Sequence, residues 1–108
     1  MRNRNQLTLV GRIGDAMKEG KSKNGTTYMY FALEIYQNIN STQNNQYQTL
    51  HVMVFNKKVI DYLRKVDVHA GNFCVVFGFI SSFKYIKNGR EMFVNAVNGD
   101  EVFIIKTK

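Results

Sequence analysis

From Thr27 to Gln37 the side chains alternate: Met29, Phe31, Leu33 and Ile35 fall on one face, and Tyr28, Tyr30, Glu34 and Tyr36 on the other. A period of two is that of a β-strand. The segment is therefore predicted as a strand with an apolar inner face and tyrosines on the face that is ordinarily polar. The same reading predicts a strand from Leu7 to Ile13, with Gly11 permitting a bend or bulge. A third runs from Tyr47 to Phe55, with Leu50, Val52 and Val54 on one face and Tyr47, Thr49, His51, Met53 and Phe55 on the other. From Lys57 to Val66 the period shifts to about 3.6, so that Val59, Ile60 and Leu63 share a stripe and one short helix is predicted. Asn72 to Tyr85 reads as a long strand, apolar on both faces as far as Ile80 and carrying Gly78 mid-way; Glu91 to Ile105 reads as the last strand. Asn24-Gly25 and Asn88-Gly89 are tight-turn signals, the first closing the polar stretch from Lys18 to Thr26. Gln37 to Gln46, nearly all Asn, Gln, Ser and Thr, reads as a long loop.

Three strands, a helix and two strands, with bend-permitting glycines in the first and fourth strands, predict an all-β fold. The order suits a five-stranded Greek-key OB-fold barrel with one short helix between strands 3 and 4. An open sheet with the helix packed across it is the alternative. The 108 residues suffice for a single domain.

Charge narrows the function. Fifteen Lys and Arg against eight Asp and Glu give +7 and a pI near 9.7, and no acid lies between Glu34 and Asp61 or between Asp67 and Glu91. Such an excess suits nucleic acid or an anionic membrane surface, and otherwise stands as an ordinary solvated basic surface. No apolar run reaches membrane-spanning length, and the first residues read as leading into a short alternating strand rather than a signal-peptide apolar segment, so neither a membrane span nor a secretory leader is expected. Cys74 is the single cysteine, so an internal disulfide is excluded and a reducing cytoplasm is expected. No cluster has metal-ligand spacing, and no phosphate-binding loop or nucleophile motif is present. No metal, cofactor or enzymatic activity is expected.

Tyrosines on a basic sheet suit unpaired nucleobases. An aromatic face stacks any base for ~1–3 kcal/mol, while each neutralised phosphate steepens the salt dependence by ~0.7 in a log–log plot for single strands. The candidate stacking residues are Tyr28, Tyr30, Tyr36, Tyr47, Phe55 and Tyr85, with His51 able to stack or hydrogen-bond. The candidate cations are Arg12, Lys23, Lys57, Lys84, Lys87 and Arg90. The hairpin Lys84-Tyr-Ile-Lys-Asn-Gly-Arg90 joins both chemistries in seven residues. The competing reading of the tyrosine face is burial against a second subunit, above all at Tyr28 and Tyr30. Phe73, Val75, Phe77 and Phe79 read as core or subunit interface rather than DNA contact. Lys57, Lys58, Arg64 and Lys65 read equally as the solvated face of the helix. Arg12, Lys21 and Lys23, near the first hairpin, stand open between DNA contact and solvated charge.

Leu9-Val-Gly-Arg-Ile-Gly14, Asn24-Gly25, Phe31-Ala-Leu33, Val52-Met-Val-Phe55 and Tyr62-Leu-Arg-Lys65 resemble, in order and spacing, the landmarks of bacterial single-stranded DNA-binding proteins. The resemblance covers roughly residues 5 to 105. It implies an OB barrel assembled as a homodimer or homotetramer, binding single-stranded DNA in replication, recombination or repair, in the cytoplasm with the nucleoid. It aligns Phe55 with a DNA-contacting phenylalanine, and Tyr85 with a position where that family carries a stacking tryptophan. Phe31-Ala-Leu-Glu34, Gly78-Phe-Ile-Ser81, Lys84 and Lys87-Asn-Gly89 also resemble the short PriB-type primosomal proteins. These imply a dimer that bridges DNA and a replication-restart helicase. An OB-type protein-interaction module is the third reading. The chain departs from the larger family in having no tryptophan. Its last residues, Ile104-Ile-Lys-Thr-Lys108, are basic, so recruitment of enzymes through an acidic C-terminal tail is not expected.

Overall fold

The computed structural model describes residues 5–22, 24–37 and 46–105. Its elements in chain order are β1 (Leu7–Ile13), β2 (Lys18–Lys21), β3 (Thr27–Gln37), β4 (Gln46–Val54), α1 (Lys57–Lys65), β5 (Phe73–Lys87) and β6 (Arg90–Ile105). β1 pairs on both edges: with β5 from Leu7↔Gly78 to Arg12↔Phe73, then with β3 at Arg12↔Glu34 and Ile13↔Leu33. That double pairing closes the ring β1-β5-β6-β4-β3, in which the β4–β6 contact is parallel and the others antiparallel. The result is the expected five-stranded OB barrel, with α1 between the third and fourth barrel strands. Gly11 lies where β1 passes from one neighbour to the other, as the bend predicted there requires.

The polar stretch read as leading into the Asn24-Gly25 turn begins with a short extra strand. Among the described residues β2 pairs only with β3, in register Lys18↔Tyr30 through Lys21↔Thr27. It has no apolar alternation because it lies on an edge, where charged side chains are ordinary. The Asn88-Gly89 turn forms as predicted, with both residues at positive φ (53° and 75°), the requirement of a two-residue type I′ hairpin. Of the long polar loop, Gln37 and Gln46 pair with each other; the rest lies outside the described residues.

The inner faces follow the alternation. Ile13, Leu33, Val52, Val54, Cys74 and Val76 are fully buried, with Met29, Phe31, Val97 and Val102 around them. α1 adds Ile60 and Leu63 to the same cluster. Asn56 caps the helix by accepting from the Lys58 amide at 2.9 Å, and Arg64 and Lys65 occupy the last turn, where cations suit the helix dipole. The Tyr62 hydroxyl accepts from the Ile104 amide at 3.0 Å and ties α1 to β6.

Cys74 is shut in this core, and burial pushes its thiol up to about 11 from an ordinary 9.0. An unfolded chain ionises the thiol above pH 9 while the folded chain does not, so this contribution to stability is present below pH 9 and is lost as pH rises toward 11. The thiol is expected to resist iodoacetamide at pH 8 in the native protein and to react promptly in urea. Equal labelling in both states, read by mass spectrometry, would contradict the burial.

The stripe Phe73, Val75, Phe77 faces away from this core. In register with β1 and β6 it forms the rows Val10–Val75–Phe103 and Arg12–Phe73–Ile105. Val10, Phe73, Phe77, Phe103 and Ile105 are each roughly half exposed, and the Phe77 and Phe103 rings meet edge-on at 6.1 Å.

Candidate nucleic-acid interface

On its outer face β3 carries Tyr28 and Tyr30, with ring centroids 5.9 Å apart. β4 runs antiparallel beside it with Tyr30 opposite Met53, and the chain leaves β4 at Phe55, whose ring lies 5.5 Å from that of Tyr28. The β5–β6 hairpin then brings in Phe83, stacked on Phe55 at 5.7 Å and 22°. Tyr30, Tyr28, Phe55 and Phe83 thus form one continuous row of rings drawn from three parts of the chain. Tyr28, Phe55 and Phe83 border a groove of about 740 Å³ lined also by Lys21, Met53 and Lys84.

Gly20 of β2 is the floor of this row. A Cβ there would lie 2.7 Å from Cζ of the Tyr28 ring, so the ring occupies space over the edge strand that a side chain at residue 20 would contest.

Tyr28, Tyr30 and Phe55 are accordingly brought together as the sequence suggested. Beyond Tyr30 the same face continues through Ala32–His51 and Glu34–Thr49 to Tyr36–Tyr47. From Tyr28 to Tyr36 that is eight residues of strand, about 27 Å. Tyr36 is half exposed and His51 exposed. Arg12 meets this strip from β1: its Nε donates to Glu34 Oε1 at 3.0 Å, in the pair Arg12↔Glu34. Lys57, exposed at the start of α1, borders a smaller depression beside Phe55. Lys84 makes an ion pair with Glu91 across the hairpin at 2.9 Å. Lys87 and Arg90 face each other at its exposed tip. Lys23 lies outside the described residues. Tyr47 and Tyr85 are placed in β4 and β5, the latter opposite Met92, and their side chains lie outside what is described.

Sequence reasoning missed Phe83 and left Lys21 undecided. Phe83 carried a signal: it stands two residues before Tyr85, hence on the same face of its strand. Beyond Ile80 the strand alternates, with Ser82 and Lys84 on one face and Phe83 and Tyr85 on the other, so Phe83 was legible as a partner of Tyr85.

The Lys84–Glu91 pair makes a prediction of its own. Glu91 neutralises a cation at the groove's rim, so Glu91→Gln is expected to tighten oligo(dT) binding about 2- to 5-fold at low salt, as for an exposed ion pair. The salt slope should steepen by up to ~0.7 as Lys84 becomes available to a phosphate. Titration at several salt concentrations checks both; an unchanged slope would show that Lys84 does not meet the backbone.

An OB barrel bearing aromatic rings and cations along one curved sheet is the class of protein that fold and site define. The chain belongs to the single-strand binding protein family, whose model matches residues 4–104, and single-stranded DNA binding follows from that membership. Among curated proteins none matches the sequence. Among solved structures the fold is shared by a Plasmodium falciparum SSB in complex with single-stranded DNA, at TM-score 0.80 and 14% identity, covering 98% of each chain. It is shared too by the mitochondrial single-stranded DNA-binding protein Rim1 of Saccharomyces cerevisiae. One crystal form gives TM-score 0.71 and 21% identity over 98% of this chain and 100% of that one; a second gives 0.72 and 20% over 99% of each.

Proposed function

We propose that this protein binds single-stranded DNA with little sequence preference, stacking bases along Tyr30, Tyr28, Phe55 and Phe83 while Lys21, Lys84, Lys87 and Arg90 face the phosphates. It would protect or present DNA during replication, recombination or repair, in the cytoplasm with the nucleoid, as a binding protein and not an enzyme. The observation that carries this reading is the unbroken row of rings with cations at its rim. A π-face accepts every base, which supports sequence tolerance, and a paired duplex offers no free base faces to such a row. Fluorescence anisotropy with labelled oligo(dT) at two salt concentrations, against a duplex of equal length, tests it. The single strand should win clearly at both; duplex binding of equal strength would overturn the proposal.

The apolar face formed by Val10, Phe73, Phe77, Phe103 and Ile105 supports self-association, since an exposed patch of that kind ordinarily marks a protein contact. We read it as the homodimer or homotetramer interface. Analytical ultracentrifugation should give two or four times 12.5 kDa for the free protein, and that mass plus bound strand when oligonucleotide is present. A strict dimer that also captures a restart helicase would favour the PriB-type primosomal role. A monomer whose DNA binding survives loss of the aromatic row would favour a protein-interaction module.

A further inference from the structure

β2 is a weak element in an important place. It is four residues long and pairs along one edge only, and short edge strands open most readily. Yet its Gly20 is the surface on which Tyr28 lies. One residue away and on the opposite face of β2, Glu19 reaches α1. Its Oε1 accepts from Arg64 Nε at 2.7 Å, across 45 residues of sequence. Asp61, one turn earlier on α1, stands 3.8 Å from Arg64 Nη1 and steadies the guanidinium from its own helix. α1 in turn is seated in the barrel by the buried Ile60 and Leu63. A chain of contacts therefore runs from the core through α1, Arg64 and Glu19 to β2, and from Gly20 to Tyr28 and Phe55.

We infer that Glu19 and Arg64 are positioning residues for the DNA interface: their ion pair pins β2 to α1 and so holds Gly20 beneath Tyr28, without either side chain touching DNA. The hydrogen bond that Arg64 donates to Glu19 also keeps the guanidinium above its ordinary pKa. The inference rests on the single-strand reading above, and it reverses the simplest electrostatic expectation. Removing a carboxylate from the neighbourhood of a DNA site ordinarily strengthens binding. Removing this one weakens it, because the loosened β2 releases Tyr28.

The test uses the full chain with Glu19→Gln, Arg64→Gln and the exchanged pair Glu19→Arg with Arg64→Glu. Labelled oligo(dT) is titrated by anisotropy over a range of salt, and urea unfolding is followed in parallel. Each single variant is expected to bind about 3- to 5-fold more weakly, the size of effect an exposed ion pair can transmit. The salt slope should stay unchanged, the exchanged pair should recover most of the affinity, and the urea midpoint should scarcely move. Glu19→Gln binding as tightly as the wild type, or more tightly, overturns the inference. So does a slope reduced by ~0.7 in Arg64→Gln, which would make Arg64 a phosphate contact, and so does an exchanged pair no better than the singles. These outcomes sink the ion pair's role alone; a wild-type protein that fails to bind oligo(dT) sinks the single-strand reading and this inference with it.

Discussion

Phe55→Ala is expected to weaken oligo(dT) binding by about 1–3 kcal/mol, some 5- to 150-fold. Phe55 is the link of the row, 5.5 Å from Tyr28 on one side and 5.7 Å from Phe83 on the other. Truncating it removes one stacking surface and leaves both neighbours without their mutual support. The ring stands outside the buried core cluster, so the barrel should remain folded, and circular dichroism should report an unchanged sheet. Phe83→Ala should act in the same direction, and the double variant should lose less than the sum of the two, because rings in contact are not independent. The salt slope should not move in any of them, since no phosphate contact is removed. Binding unchanged by Phe55→Ala would mean that DNA takes another path across the barrel.

Gly78→Val is expected to destabilise the fold by about 3 kcal/mol or more, in the range of severe backbone clashes and overpacking. The β5–β6 register shifts between Phe77 and Gly78, with Phe77 opposite Glu101 and Gly78 opposite Gly99. At this irregularity the strands draw so close that a Cβ on residue 78 would overlap the Asn98 carbonyl oxygen. A clash with backbone is not relieved by a rotamer change, and valine adds two methyl groups to it. The bulge also sets the course of β5 on toward Phe83, Lys84 and the hairpin tip, so whatever protein folds should bind DNA poorly. Urea unfolding gives the first effect and anisotropy the second; a variant of wild-type stability would mean that the bulge is slack. The contrast with Phe55 is useful, since one substitution should spare the fold and remove binding while the other should damage both.

The local pattern carried a large part of the architecture. Strict alternation marked β3 to the residue, Asn88-Gly89 located the hairpin, and the change of period at Lys57 marked α1 to within one residue of its end. Each of these depends on neighbours a few positions apart, which is the range over which a period or a turn preference acts. The apolar exterior of β5 was legible as well, because a strand without a polar face has to place one side somewhere other than the core.

What lay beyond the sequence were relations set by closure. β2 has no alternation to announce it and exists because the edge of β3 is there to pair with. Phe83 becomes a member of the aromatic row only when the long hairpin folds back over β4. Arg12 finds Glu34, and Glu19 finds Arg64, across 22 and 45 residues, distances at which sequence spacing holds no geometric information. The amino-acid order by itself determined which five segments form the barrel strands, which one is helical, where the chain turns and which charges are in excess. Only the closed barrel decided which tyrosines, phenylalanines and cations share a surface, because that depends on strand register and ring closure, which fix positions in space and leave no period in the chain.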